Sequence, residues 1–312
     1  MAANPAFNNP AFREQPAGRA QAAPQTGSAQ PGQPQYGQYA PGQPVDAQQQ
    51  AAVNAHFEGA YAAPEAGALQ TGRMTVEDTV YKTIALFAVL LVTAVVGWVW
   101  SASTVTVSAN GQTTSPSVLP WIIGALGGFI LAMVVIFTSR TKVRPALIFA
   151  YAAFEGLFVG SISLFFEFLY PGIVLQASLA TLAVVGVTLA LFASGKVRAS
   201  KRATKIWMIA MIGYLVFSLL NVVLMLTGVL PQSAMFGMWS VKVAGIPLGL
   251  IIGVLVVLMA AYSLVQDFDF IQQGVRNRAP REFGWMGGFG IMVTVVWLYL
   301  EILRIIGIAR SN

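Results

Sequence analysis

The sequence predicts an all-α membrane protein of seven transmembrane helices, with the N-terminus inside, the C-terminus outside, and a disordered tail in front. Three observations predict it. Apolar residues make up 56 % of the chain and charged residues 10 %, where a soluble globular chain carries roughly 25 % charge. From Met74 onward the chain is a series of apolar runs of membrane-spanning length joined by short loops. The basic residues fall almost entirely in alternate loops.

The tail comes first, and the expected division is residues 1–73 for the tail and 74–312 for the membrane domain. Residues 1–72 hold 9 of the 16 prolines and 12 glutamines, and only Val45, Val53 and Leu69 among the branched aliphatic residues. Such a segment buries too little apolar area to offset the entropy of ordering it. Pro-Gly-Gln-Pro occurs at 31–34 and again at 41–44, which is a low-complexity pattern. No apolar core of 7–15 residues follows Met1, so this is no signal peptide. The composition fits a solvated tether, with docking of a partner as the minority role.

Seven runs then qualify as spans: Thr83–Trp100, Leu119–Thr138, Ala146–Leu169, Val174–Phe192, Ile206–Val229, Val243–Val265 and Phe283–Ile308. A hydrocarbon core of ~30 Å needs about 20 mostly apolar residues per crossing. Backbone groups in lipid must be paired within the segment, so each run is a helix. The ~10-residue alternation of a membrane barrel is absent.

Loop charge sets the expected orientation. Arg140, Lys142 and Arg144 lie between the second and third spans. Lys196, Arg198, Lys201, Arg202 and Lys205 lie between the fourth and fifth, and Arg276, Arg278 and Arg281 between the sixth and seventh. The opposite side has only Lys242 and Arg310. Eleven against two is a strong positive-inside asymmetry. It places the protein in the cell membrane with a cytoplasmic tail. The net charge of +6 is thereby accounted for by a lipid bilayer rather than nucleic acid.

The chain has no cysteine, and its one histidine, His56, lies in the tail. Thiolate nucleophiles, Cys- or His-ligated metal sites and a Ser-His-Asp triad are thus disfavoured. An intramembrane protease is disfavoured too, because neither Asp267 nor Asp269 sits in Gly-x-Gly-Asp. The expectation is a protein without enzymatic activity or cofactor. Small residues at spacings of four, Gly156 with Gly160 and Gly245 with Gly249 and Gly253, mark helix faces that allow close approach. Pro247 is expected to kink the sixth helix.

Charges inside the spans carry the functional reading, since a buried charge costs at least ~2.5–3.5 kcal/mol on insertion scales. Glu155 lies ten residues past Pro145, ~15 Å into its helix and near the midplane. It is the residue hardest to explain structurally and the first candidate for a cation or proton site. Asp267 follows the sixth span and is expected at the cytoplasmic helix end. Glu301 and Arg304 are three apart, where they either neutralise each other or line a pathway. Glu167 precedes Leu169-Tyr170-Pro171 and is expected to reach the interface.

At these residues the chain resembles the Bax inhibitor (transmembrane Bax-inhibitor-motif) family, over roughly residues 74–312. Arg140-Thr-Lys-Val-Arg-Pro145 followed by Tyr151 is similar to the family's basic turn before the third helix. Tyr262-Ser-Leu-Val-Gln-Asp267-Phe-Asp-Phe-Ile271 is similar to its aspartate segment, and Leu298-Tyr-Leu-Glu-Ile-Leu-Arg-Ile-Ile-Gly307 to its last helix. The nearest branch is the bacterial one with a long polar tail. The resemblance implies a pH-gated leak for cations, usually calcium. In that scheme carboxylates on the sixth and seventh helices share a proton, and an arginine on the second pairs with them when closed.

Asp267 and Arg140 match two of those three positions. For the third, alignment on Leu-Tyr-Leu selects Glu301, and the gapless alignment on Leu-Arg-x-x-Gly selects Thr294. The gapless register is preferred, in which case Glu155 could supply the second carboxylate. Arg140 and Asp267 are expected at one membrane level, where their attraction at 4 Å is ~4 kcal/mol for an effective dielectric near 20. Asp267 and Glu155 are also the candidate ligands for a passing metal ion. The second reading is a membrane regulator that binds a partner through its tail or loops, such as the membrane AAA protease that bacterial relatives are thought to modulate.

Overall fold

The structure, a computed structural model, describes residues 72–107, 113–140, 142–229 and 236–311. The expected disordered tail lies outside the described residues. Seven helices follow: α1 Val76–Ala102, α2 Leu119–Thr138, α3 Pro145–Leu169, α4 Ile173–Ala193, α5 Lys201–Leu226, α6 Leu248–Arg276 and α7 Phe283–Arg310. All seven are long and apolar enough to cross a membrane. Two-residue strands β1 Lys242–Val243 and β2 Ile246–Pro247 pair as a small hairpin before α6.

Local chemistry accounts for the boundaries. Thr75 caps α1, its hydroxyl accepting from the Asp78 N–H, with Glu77 and Asp78 in the first turn where the helix dipole favours acid. Ser200 caps α5 in the same way. Pro145 opens α3 at the first helical turn, where its missing N–H costs nothing. Pro247 stands at the N-cap of α6, so the expected kink is absent because the proline precedes the helix. Gly245 is not on the α6 face either. With Ala244 it adopts positive φ in the hairpin turn, and only Gly249 and Gly253 of that stripe are helical.

Helix α7 is the axis of the bundle. It packs on α6, α1, α4 and α3, and 56 % of its most apolar window is buried, against 6 % for α5. One core cluster gathers Leu86, Ile148, Tyr151, Met286, Phe289 and Met292. A second gathers Ile173, Trp239, Leu264, Leu298 and Leu303. Lipid tails are as apolar as these side chains, so close fit rather than burial from water drives the association. The glycines supply that fit between α1 and α3. A Cβ at Gly156 would strike the Leu90 carbonyl and one at Gly160 the Ala94 backbone.

Basic loops gather at one end, here named the tail end because the chain enters α1 there. Met74 N–H donates to the Ala279 carbonyl (2.8 Å), and Arg73 forms an antiparallel bridge with Pro280. Arg198 donates to the Gln272 side chain at 3.2 Å. At the far end Arg310 reaches the Pro171 carbonyl (2.8 Å) and Gln176 (2.9 Å).

An ion cluster fastens the tail end. Asp78 pairs with Lys82 at 2.5 Å and with Arg281 at 2.8 Å. Lys82 also donates to the Arg281 carbonyl (2.6 Å) and lies 5.4 Å from the Trp285 ring centre. The hydrogen bonds that Arg281 donates to Asp78, then the charge of that carboxylate, raise the Arg281 guanidinium above its ordinary pKa. Sequence reading missed this cluster because it started the first span at Thr83, one residue past Lys82. The i,i+4 spacing of Asp78 and Lys82 was the available signal.

Candidate functional site

The site is built where α6 crosses α7. Helix α6 continues to Arg276, eleven residues past the expected end at Val265. Asp267 is therefore nine residues, ~14 Å, inside the helix end rather than at it. It is fully buried at 0 % exposure. The extension is reasonable because Phe268, Phe270 and Ile271 continue an apolar face that packs into the bundle.

Thr294, eleven residues into α7, lies at a matching depth of ~16 Å. Its hydroxyl donates to Asp267 Oδ2 at 2.6 Å, and Ser263, one turn back on α6, is 3.5 Å from the same hydroxyl. All three are buried. Of the two alignments, the gapless one thus selects the residue that faces Asp267. Gln266 completes the patch: it is 1 % exposed, and neither end of its amide has a hydrogen-bond partner among the described residues.

The other expected site residues lie elsewhere. Arg140 is two residues past the end of α2, exposed, with its guanidinium 5.4 Å from the Phe137 ring centre. The ion pairs among the described residues are Lys82–Asp78, Arg281–Asp78 and Arg304–Glu301, so the expected Arg140–Asp267 pair does not form here. The reason is depth. Arg140 ends its helix at the surface, whereas Asp267 sits more than two turns inside.

Glu155 is at the expected depth in the middle of α3 but on another interface. It hydrogen-bonds to Tyr151, one turn back, and its Oε2 lies against Gly128 of α2. Tyr151 packs edge-on against Phe289 of α7, ring centres 4.9 Å apart. The hydrogen bond to Asp267 across the α6–α7 interface comes from Thr294, whereas the Glu155 contacts are with Tyr151 and Gly128. Among the described residues no three Asp, Glu, His or Cys side chains form a group able to hold a metal.

Glu301 is buried at 3 % exposure, two helical turns from Thr294 toward the far end. It pairs with Arg304 and accepts from the Tyr214 hydroxyl at 2.9 Å. The Arg304 guanidinium lies 3.7 Å from the Trp239 ring centre. Of the two readings of Glu301 and Arg304, mutual neutralisation describes this geometry. Tyr214 and Trp239 were not foreseen, since nothing local in sequence links them to α7. Glu167 accepts from the N–H groups of Gly172 (2.6 Å) and Val174 (3.1 Å). It caps the start of α4 from the last turn of α3, and the dipole there favours its charge.

The architecture and the buried α6–α7 patch can now be set against known families. The family model described as Bax inhibitor 1 like matches residues 4–311. The chain belongs to the Bax inhibitor 1 like family. The match begins at residue 4, so it includes the tail, which the sequence reading had placed outside the resemblance. No curated protein matches the chain, and no solved structure does. Within this family assignment, the aspartate segment around Asp267 and the last helix meet at the Asp267–Thr294 hydrogen bond.

Proposed function

We propose that this multi-pass membrane protein is a pH-sensitive leak for cations, calcium or protons, closed by the contact between Asp267 and Thr294. The observation that carries the reading is a fully buried carboxylate held across a helix interface by a neutral hydroxyl. An intramembrane ionisable residue is a functional candidate by default. A hydrogen bond to an ionised carboxylate is roughly twice as strong as a neutral one. Protonating Asp267 therefore weakens the tie between α6 and α7, and flux rises as pH falls. The seventh-helix partner is Thr294, so the α6–α7 contact itself carries one titrating group. Glu301 lies two turns along the same helix and extends the polar path toward the far end, where Arg304 restrains it. Glu155 forms a separate polar point between α2 and α3. No enzymatic step and no resident cofactor is invoked; calcium enters as cargo.

The orientation belongs to the same proposal. Eleven basic residues in the tail-end loops, against Lys242 and Arg310 at the far end, favour a cytoplasmic tail and an external C-terminus. The test is uptake of labelled calcium, or of protons read by an entrapped pH dye, into proteoliposomes of the purified chain across pH 5 to 8. Flux above that of protein-free vesicles, rising toward acid, supports the leak. No flux at any pH rejects it.

The second reading is a regulator of a membrane partner. The observation that favours it is the fastening of residues 73–78 to the loop before α7 by the Met74–Ala279 and Asp78–Arg281 contacts. A partner pulling on the tail would act on the helix that carries Thr294. Reconstituted flux separates the two readings, since a leak works alone and a regulator does not.

A further inference from the structure

A groove of about 690 Å³ lies among α1, α3, α4 and α7, away from the α6–α7 patch. Its floor is α3 and α7, at Gly160, Ser163 and Tyr299, and its walls are α1 and α4. Its mouth is open to the outside of the bundle: Leu91 and Val95 on the α1 wall are 62 % and 63 % exposed, and Leu182 on the α4 wall is 67 % exposed. The lining is almost wholly apolar, and its polar groups are largely spoken for. Ser163 and Tyr299 hydrogen-bond each other at 2.6 Å, and Thr181 donates to the Ala177 carbonyl at 2.7 Å. All of the lining lies within segments long and apolar enough to span, so the mouth faces hydrocarbon rather than water.

Length identifies the occupant. On α1 the groove runs from Phe87 to Trp98, a rise of ~16 Å. That is about half of a ~30 Å hydrocarbon core. It also lies in the far-end half: Trp98 is four residues from the end of α1, and the α4 wall begins at Val174, one residue into its helix. A transmembrane helix of another copy would cross both leaflets and meet the groove along only half its length. A hydrocarbon chain belonging to one leaflet matches it from end to end. We propose that this groove is a binding site for a phospholipid acyl chain of the far-end leaflet.

The occupied groove has a consequence for α7. Val295 and Val296, which follow Thr294 directly, and Tyr299 form part of its lining. A chain seated there fills the space beside α7 on the side opposite α6. It braces the helix that carries the Asp267 partner. Shape and position along the helices define this site, whether or not the protein conducts ions.

The test uses the full chain in dioleoyl phosphatidylcholine vesicles doped with a phosphatidylcholine bearing a photoreactive group in one acyl chain. Labelled peptides are mapped by mass spectrometry. The expected result is labelling of the Phe87–Trp98 and Val174–Leu182 stretches above that of the α5 stretch Ile206–Leu226, although α5 is the more exposed helix. Ser178→Phe, whose ring fills the groove, should lose the excess while α5 labelling stays. Ser178→Leu, a smaller filling for use if the first variant is not monodisperse, should reduce it. Groove labelling no higher than on α5, labelling unchanged by either filling, or photo-crosslinks joining α1 to a second copy would each overturn the proposal.

Discussion

Thr294 donates its hydroxyl to Asp267 Oδ2 at 2.6 Å across the α6–α7 interface, with both residues buried. The threonine does for this interface what a second carboxylate cannot: it satisfies the charged form of its neighbour without adding charge. Thr294→Val keeps the shape and removes the donor. A hydrogen bond to a charged group is worth ~1.5–3 kcal/mol. The variant should unfold at lower temperature in detergent and leak more than wild type at neutral pH. Thr294→Ser should restore both properties. Wild-type stability and flux in the valine variant would show that the bond has no role.

Thr294→Asp sets a second carboxylate against the first. Like charges this close cannot both ionise, so the pair would titrate jointly. The pH profile of flux is expected to change shape relative to wild type, measured in the same vesicles. Superimposable profiles would mean that position 294 does not face the titrating group.

The tail-end cluster should respond unequally to its members. Lys82 is only 8 % exposed, so Asp78→Ala leaves a buried cation without its carboxylate, a change that costs ~3–5 kcal/mol in comparable settings. Arg281 is solvated, with its side chain 48 % exposed, and Arg281→Ala should cost much less. Thermal unfolding of the two purified variants measures the difference. Equal effects would show that Lys82 finds other partners.

The Glu301–Arg304 pair invites a double-mutant cycle. Either single change, Glu301→Leu or Arg304→Met, strands a buried charge and should destabilise by ~3–5 kcal/mol. The double change should cost less than the sum of the two, because no charge is left behind. Simple additivity in the unfolding midpoints would contradict the pairing.

Much of this arrangement was legible in the sequence, for physical reasons. A bilayer imposes length and apolarity on each crossing, so seven runs from Met74 onward identify seven helices. Gly156 and Gly160 marked a close helix face, which proves to be the α1–α3 contact. Thr294 was recoverable from register alone. Side-chain partners were less legible. Hydropathy drops at Gln266-Asp267 and ends the apolar run at Val265, whereas the helix runs on to Arg276 with the aspartate buried. That single boundary put Asp267 at the surface and invited Arg140 as its partner. Tyr214 and Trp239 reach Arg304 from segments far away in sequence, and no local pattern encodes such a meeting.

The glycine contact offers a test of packing that is independent of any charge. Gly160→Leu should disrupt the α1–α3 approach, since even one Cβ there meets the Ala94 backbone. Overpacking of this kind typically costs ~1–3 kcal/mol. Gly186→Leu on α4 has open space around it and should be tolerated. Yield of monodisperse protein after detergent extraction compares the two. Equal yields would contradict the close approach.

The central claim, that the charge on Asp267 closes the leak, is tested most directly by cation flux through Asp267→Asn in proteoliposomes between pH 5 and 8. Asparagine replaces the carboxylate with a neutral group of the same shape. The account predicts flux that is high at every pH and no longer responds to acid, with Glu155→Gln retaining the wild-type response. A pH response in Asp267→Asn equal to that of wild type would contradict it.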